Sequence, residues 1–534
     1  MAKPFKLVSL LLTLVLLLGL MPAGLAQDAS AQRTKLVVAI SALPTVENYD
    51  TNYWTKKIEE DNNVDLEFYL LPSDATDAAT KLSLLVTSGA KLPDIICMNL
   101  NDLTAYDYAQ NGIFIPLNDY YSSDLAVNIK AMPEADRDYV YQNLRLPDGN
   151  VYALFAYTPY PWNTMRNRFF INTDWLDKLG LSMPTTTEEL RTVLQAFVSN
   201  DMNGNGKLDE IGIVGSTNGW GQQPFNYLMN AFLYADASRK YMALSEDGQT
   251  VYPSYTQDAW KEGLAYMASL CDEGLLSPLS FTQDYSQLTA LVNVEGGMAG
   301  VIAAGSLSAF DQVLDSYALM APLTGPEGVC LTAYYAPAPV PYWFITKDCE
   351  NPDVAFSVGD YMLSQYNFNV TSMGIEGVDW TADPEIVKEY KTPFEDLMGI
   401  TANRVGLTNI WGKAQNTHWQ GAHPRYQPVE SAMQVGSIKR SEEGTTTNYT
   451  AQHYVMYSPC VPKVLLPKIT YTQEETDEIA SIKTTIDAYA YDMAVSFITS
   501  VRPLSDWDNY LSELDRMGLA EYMQVTQAAY DRVK

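Results

Sequence analysis

Six residues between positions 201 and 210 bring oxygen donors together at a spacing that can wrap a hard cation: Asp201, Asn203, Asn205, Lys207, Asp209 and Glu210. Asp201, Asn203 and Asn205 occupy positions 1, 3 and 5 of a loop. Gly206 permits a sharp turn at position 6, and Lys207 offers its backbone carbonyl with the ammonium turned away. Ca2+ takes about six to eight such oxygens. Position 12 is Gly212 rather than Glu, so Asp209 and Glu210 must close the shell early. The alternative is a plain Gly/Asn turn without metal, but carboxylates packed this closely repel unless a cation joins them. The expectation is a structural Ca2+, because nothing in the pattern leaves an open catalytic position.

A second group has the chemistry of sugar recognition. Sugars present apolar C–H faces, on which flat rings stack, and a rim of hydroxyls that amides, carboxylates and guanidinium groups bond. Tyr160, Trp162, Asn163 and Arg166 fall within one stretch, Tyr157 to Arg168, that also carries two prolines. Trp220 and Gln222 sit in a glycine-rich loop with no lysine after the glycines, which excludes a phosphate-binding P-loop. Glu376 follows in a Gly-Ile-Glu-Gly segment, and Trp411, Trp419 and Gln420 form another aromatic-amide cluster beside His418 and His423. Stacking is expected of Trp162, Trp220, Trp411 and Trp419, and hydroxyl bonding of Asn163, Arg166, Gln222, Glu376 and Gln420. The plainer reading of the same residues is hinge and core packing. Arg166, Arg168, Arg404 and Arg425 could also form a local anion site.

The elements that must position these groups alternate. Lys35–Ile40, Val64–Leu70 and Pro93–Met98 read as strands, with helices over Tyr53–Glu60 and Asp77–Ser88 between them. That order predicts parallel pairing, with ligands beyond the carboxyl ends of the strands. The loops Ser41–Tyr49 and Met98–Asn101 are therefore expected to face a ligand. Thr185 or Thr186, with Glu188 or Glu189 three residues on, offers a capping box. It opens a helix whose Leu190, Val193, Leu194, Phe197 and Val198 share one face and which runs into the acidic loop. Thr472 and Glu475 offer another such start near the C-terminus.

With 534 residues, of which 47% are hydrophobic, the chain is too long for one core. Its net charge of -30 argues against nucleic acid and anionic lipid as partners. Lys3 and Lys6 before the apolar run Leu7–Met21, with small residues at Gly24–Ala26 or Ala29–Ala31, mark residues 1–32 as a cleaved signal peptide. No lipobox cysteine is present, since the first cysteine is Cys97, so an exported protein in an extracellular, cell-surface or periplasmic setting is expected. Five cysteines, none in a CxxC pair, leave at least one unpaired within the chain.

The segment Asp174–Glu210, reading DWLDKLGL, then PTT, then DMNGNGKLDE, resembles the extracellular solute-binding proteins of ABC importers. It is most similar to their large oligosaccharide-binding branch, which includes the alginate-oligosaccharide binders and the LplA-like lipoproteins. The stretches Leu85–Ile96, Cys271–Leu275, Gly374–Trp380 and Phe497–Trp507 carry further patterns of that branch. The resemblance implies an α/β fold of the type II periplasmic-binding-protein kind, with two lobes of mixed sheets flanked by helices and a hinged cleft between them. It also implies calcium in the 201–210 loop, an oligosaccharide ligand, ABC permease subunits as partners and a monomer that is not an enzyme. The expected division is 33–150 with 345–375 for the N-terminal lobe, and 151–344 with 376–534 for the C-terminal lobe. A secreted glycoside hydrolase is the rival, although no carboxylate pair stands out and neither GxSxG nor HExxH occurs. A peptide binder of the same fold is the other alternative.

Overall fold

The computed structural model describes residues 33–534 except 295, 308–309, 311–312, 409, 411–413 and 443–448. Residues 1–32, expected to be a signal peptide, and Trp411 lie outside the described residues.

Ten strands build the two main sheets. They are β1 (Thr34–Ser41), β2 (Val64–Leu71), β3 (Ile95–Cys97), β4 (Ala153–Tyr157), β5 (Phe169–Asn172), β6 (Ile211–Val214), β7 (Ala299–Ala303), β8 (Tyr317–Leu319), β9 (Val340–Ile345) and β10 (Arg425–Tyr426). The first sheet runs β10-β4-β9-β3-β1-β2 and the second β8-β5-β7-β6. As the alternating order predicts, β1 pairs parallel with both β2 and β3. Strand β9 then enters antiparallel between β3 and β4, which makes the sheet mixed. Strands β3 and β4 are buried along their whole length because side chains cover both faces. Trp54, Ile58, Trp343 and Phe356 pack on one face, and Ala78, Leu82, Phe114 and Phe344 on the other.

The second sheet is mixed as well, β6 running parallel to β7 and β5 antiparallel to it. Its core holds Trp175, Phe197 and Trp260. The C-terminal helices Gln473–Ile498, Trp507–Arg516 and Leu519–Asp531 add Phe497, Trp507, Tyr510 and Tyr522 to the same core. Helix Thr187–Val198 buries Leu190, Val193, Leu194 and Phe197 there, and thereby fixes where the acidic loop begins. Its start differs from a reciprocal box: Thr186 Oγ1 accepts from Glu189 N–H, but the Glu189 carboxylate accepts from Thr185 instead. The box at Thr472 and Glu475 is complete.

Strands β4 and β10 pair in the first sheet, although both fall in the ranges expected for the C-terminal lobe. The chain passes between the sheets at 158–168 and again at 320–339. A small module follows, with a three-stranded sheet of Trp380–Thr381, Arg404–Gly406 and Val435–Gly436. Phe394, Met433 and Ala451 form its core, and Trp162 leans on them. The halves also touch directly: the Lys468 ammonium lies 2.6 Å from the carboxylate of Asp102, at the start of the helix that follows β3. Among the described residues no helix is long and apolar enough to cross a membrane.

All three histidines are fully buried. His418 is pushed down to about 4 by burial, and its Nδ1 accepts from Gln420 N–H, which requires the neutral ring. His423 is pushed down to about 3, by burial first and the nearby Arg425 second. In the unfolded chain each takes up a proton near pH 6.5. The unfolded state therefore binds more protons between about pH 6.5 and 4, so stability is complete above about 6.5 and is lost as pH falls through that window. Melting temperature measured from pH 7 to 5, above the range in which exposed carboxylates titrate, should fall. In His418→Gln that slope should be shallower, by on the order of 1 kcal/mol across the window.

Candidate functional site

The stretch leaving β4 forms one wall of a cleft. Pro161 occupies the first position of the short helix Pro161–Thr164, where its fixed φ suits the turn. It holds Tyr160 and Trp162 as a stacked pair, centroids 5.2 Å apart and planes 16° from parallel. Trp162 leans on Phe394 at 5.5 Å and meets Tyr454 edge-on at 6.0 Å. The Tyr160 hydroxyl donates to Gln427 Oε1. Beside it opens a cavity of about 360 Å3, lined by Tyr160, Asn163, Ser372, Met373, Arg425 and Gln427 among others. Arg425 Nε is buried there with no hydrogen-bond partner among the described residues, and burial lowers the pKa of its guanidinium. A buried donor without an acceptor is costly.

Arg168 sits behind the wall, 6% exposed, with no carboxylate partner among the described residues. Its guanidinium donates to the carbonyls of Trp162 and Gly305, and its Nε to that of Met165 at 3.3 Å. Burial lowers its pKa to about 10. The ring of Trp220 lies over it, 5.1 Å from the guanidinium carbon, and is itself 43% exposed. The glycines make that placement possible. A Cβ on Gly305 would stand 2.2 Å from the Trp220 ring, and one on Gly221, at φ +71°, would stand 2.0 Å from the Arg166 carbonyl. Arg166 in turn lines a larger cavity of about 660 Å3, together with Gln223, Lys240, Tyr241, Asp487 and Tyr491. The Tyr255 hydroxyl and Asp487 Oδ1 are buried in its wall with no hydrogen-bond partner among the described residues.

The acidic loop folds around its own oxygens. Asp201 accepts from Gly204 N–H at 2.7 Å and from Gly206 N–H at 2.8 Å, one on each carboxylate oxygen. Asn203 Oδ1 accepts from Asn205 N–H, and Asn205 Oδ1 from Lys207 N–H. Asn205 Nδ2 donates to Asp209 Oδ1 at 2.9 Å. Glu210 Oε1 accepts from Met202 and Asn203 N–H, while Glu210 Oε2 is buried with no partner among the described residues. That orphaned oxygen, in an all-oxygen donor set, fits a hard cation. Among the described residues no three His, Cys, Asp or Glu side chains converge closely enough to hold a metal ion; amide and carbonyl oxygens would have to supply the remainder.

The chain matches the model of the bacterial extracellular solute-binding protein family over residues 45–365. It belongs to that family. It is 25% identical over 504 residues to the fructooligosaccharide ABC transporter substrate-binding protein FusA of Streptococcus pneumoniae serotype 4, covering 89% of this chain and 86% of the relative. Among solved structures, a FusA EF-hand mutant in complex with fructo-nystose is similar at a TM-score of 0.68 and 22% identity, over 93% of this chain and 99% of that one. A solute-binding protein of Bifidobacterium longum infantis, described as HMO-binding, is similar at a TM-score of 0.74 and 20% identity, again over 93% and 99%. These likenesses agree with the mixed two-sheet fold expected from the sequence.

Of the residues expected at the ligand, the solute-binding protein brings Tyr160 and Asn163 to the smaller cavity and Arg166 to the larger, with Trp162 stacked behind Tyr160 and Trp220 exposed beside Arg168. Four others stand elsewhere. Trp419 is fully buried, packed against Trp54 at 4.8 Å and Phe68 at 5.3 Å with its Nε1 bonded to Thr55, so no face is open to a sugar. Gln420 is buried in the same turn, at φ +55°. Gln222 is 4% exposed and accepts from Ser216 Oγ at 2.6 Å, closing the base of the Trp220 loop. Glu376 is exposed at the entrance to the small module and lines neither cavity. Gln427, Ser372, Lys240 and Asp487 went unnoticed in the sequence because no local motif surrounds them. Arg425 was visible only as one of four arginines.

The Arg168 cluster makes a direct prediction. Arg168→Met leaves buried carbonyls without a donor and should lower the unfolding free energy in urea by about 3 kcal/mol. Arg168→Lys should recover less than half of that, because a single ammonium cannot span carbonyls set around a planar fork.

Proposed function

We propose that this protein captures an oligosaccharide in the cleft between its two sheets and hands it, chemically unaltered, to the membrane permease of an ABC importer. The observation that carries the reading is the cleft wall itself. Tyr160, stacked on Trp162, lines one cavity with Arg425, whose Nε has no partner among the described residues; Arg166 lines the other, where the Tyr255 hydroxyl and Asp487 Oδ1 have none; and Trp220 is exposed over Arg168. Rings of this kind cover sugar faces, and the polar groups bond hydroxyls in place of water. FusA, a relative over most of the chain, bears a name that specifies fructooligosaccharides.

In this reading one lobe is built on the first sheet, with β4 and β10, and the other on the second sheet with the C-terminal helices. The protein works as an exported monomer. Closing is favoured only when a ligand contacts both halves. Removal of Trp162 by Trp162→Ala should weaken sugar binding about 30-fold or more in calorimetry, as for a buried aromatic anchor. Arg425→Met should weaken it about tenfold with little change in melting temperature. Shorter sugar products after prolonged incubation, or no heat with any of a panel of fructans, plant and host glycans, would overturn the proposal.

We further propose that Asp201, Asn203, Asn205, the Lys207 carbonyl, Asp209 and Glu210 hold a structural Ca2+. The orphaned Glu210 oxygen supports this, as does the EF-hand named for the FusA mutant structure. The ion would neutralise the three carboxylates and brace the junction between helix Thr187–Val198 and β6. Chelation by EDTA should lower the melting temperature by several degrees, with recovery on adding Ca2+ but not K+. The Glu210→Gln variant should show no such response.

A further inference from the structure

Two of the five cysteines meet. Cys330 lies in the stretch that leaves β8 for β9, and Cys460 ends the turn Ser458–Cys460 after the helix Tyr449–Tyr457. Although 130 positions apart in the chain, their Sγ atoms are 2.9 Å from one another. The backbones around them are tied together. Thr332 N–H donates to the Cys460 carbonyl at 2.9 Å, and Leu331 N–H to the Asn230 carbonyl at 3.1 Å. Cys330 Sγ also lies 3.5 Å from the Pro322 carbonyl. Two thiol sulfurs at rest stand further apart than this, whereas bonded sulfurs sit about 2.05 Å apart. Closure therefore needs a movement of less than about 1 Å. All five cysteines are free thiols in the structure; among the described residues no other two lie in contact, and Cys97 is buried in the first sheet with its thiol on the Ala422 carbonyl.

We propose that Cys330 and Cys460 form a disulfide in the mature protein. The bond would join the 320–339 crossing to the segment that carries Lys468 to Asp102. Two of the connections between the halves would then leave the second sheet from one pinned point, so that hinge motion is taken up beyond it. In forming the S–S bond each thiol gives up its proton, and the two electrons pass to an oxidised thiol carrier, whose own disulfide becomes two thiols. Such carriers act outside the cytoplasm, so the cellular setting rests on the proposed export, while the chemistry below does not. Burial and the neighbouring thiol hold Cys460 up to about 12. A thiol held up in this way is a poor nucleophile once the protein is folded.

The test is refolding of the denatured, reduced protein in mixed oxidised and reduced glutathione, followed by alkylation and peptide mass mapping. The expected result is three alkylated cysteines, Cys97, Cys271 and Cys349, and one linked peptide pair containing Cys330 and Cys460. Five alkylated thiols, or a link between any other pair, would overturn the proposal. The double variant Cys330→Ser/Cys460→Ser should melt about 5 °C below the oxidised protein and be indifferent to dithiothreitol, while the wild type loses a similar amount on reduction. A wild-type melting temperature unmoved by reductant would count against a bond that spans the chain as described. Because the mapping is done on the wild type, it decides the pairing even if the variant folds poorly, and it is independent of sugar binding.

Discussion

One buried cation organises the cleft. Arg168 lies in the interior with no carboxylate partner among the described residues, a placement that costs desolvation energy unless its donors are used. They are used on the carbonyls of Trp162, Met165 and Gly305, and the face of the guanidinium is covered by the ring of Trp220. The arrangement draws the strand-to-strand connection 158–168, the end of β7 and the glycine-rich loop after β6 onto a single centre. Tyr160, Trp162, Arg166 and Trp220 all lie on the segments gathered there. A lysine or a salt-bridged arginine would not gather several backbone segments in this way, because only a planar fork reaches several carbonyls at once.

The same economy of charge runs through the molecule. The chain carries 64 acidic against 34 basic side chains, yet arginines are concentrated behind and along the cleft. Arg425 and Arg404 have lowered pKa values because they are buried; their charge is held in a poorly hydrated setting where a hydroxyl or carboxylate acceptor binds more strongly than it would in water. A ligand that enters replaces water around donors the protein leaves unsatisfied. The acidic exterior contributes solubility and repels polyanions at a distance, while the interior of the cleft reads the ligand at short range.

The acidic loop and the cysteine pair both adjoin connections of the second sheet. The loop sits where helix Thr187–Val198 turns into β6, and Glu210 reaches back to the backbone of Met202 and Asn203. The cysteines join the stretch after β8 to the end of the helix that leads toward the C-terminal helices. Neither feature touches the cavities. Both lie in the half of the molecule that supplies Arg166, Trp220 and Asp487.

Much of this was legible in the residues alone. The alternation of strand and helix near the N-terminus, the apolar face of Leu190 to Phe197 and the Thr472–Glu475 cap are local, and local periodicity is enough to read them. So was the oxygen spacing of 201–210, because its donors are neighbours in the chain. Strand β9 entering antiparallel between β3 and β4, and β10 joining the far edge of the same sheet, were not legible, since pairing partners so distant in sequence leave no local trace. The aromatic clusters show the same limit. Trp162 and Trp419 look alike in sequence, each beside an amide and a basic residue. The packing of Trp54, Phe68 and Thr55 around Trp419 closes both its faces, whereas Trp162 remains beside an open cavity. Residue type and spacing by themselves determined which chemistry the chain could perform and which of its segments are helix or strand; only the tertiary structure decided which rings and charges meet at the cleft, because burial depends on neighbours that the chain brings back from hundreds of residues away.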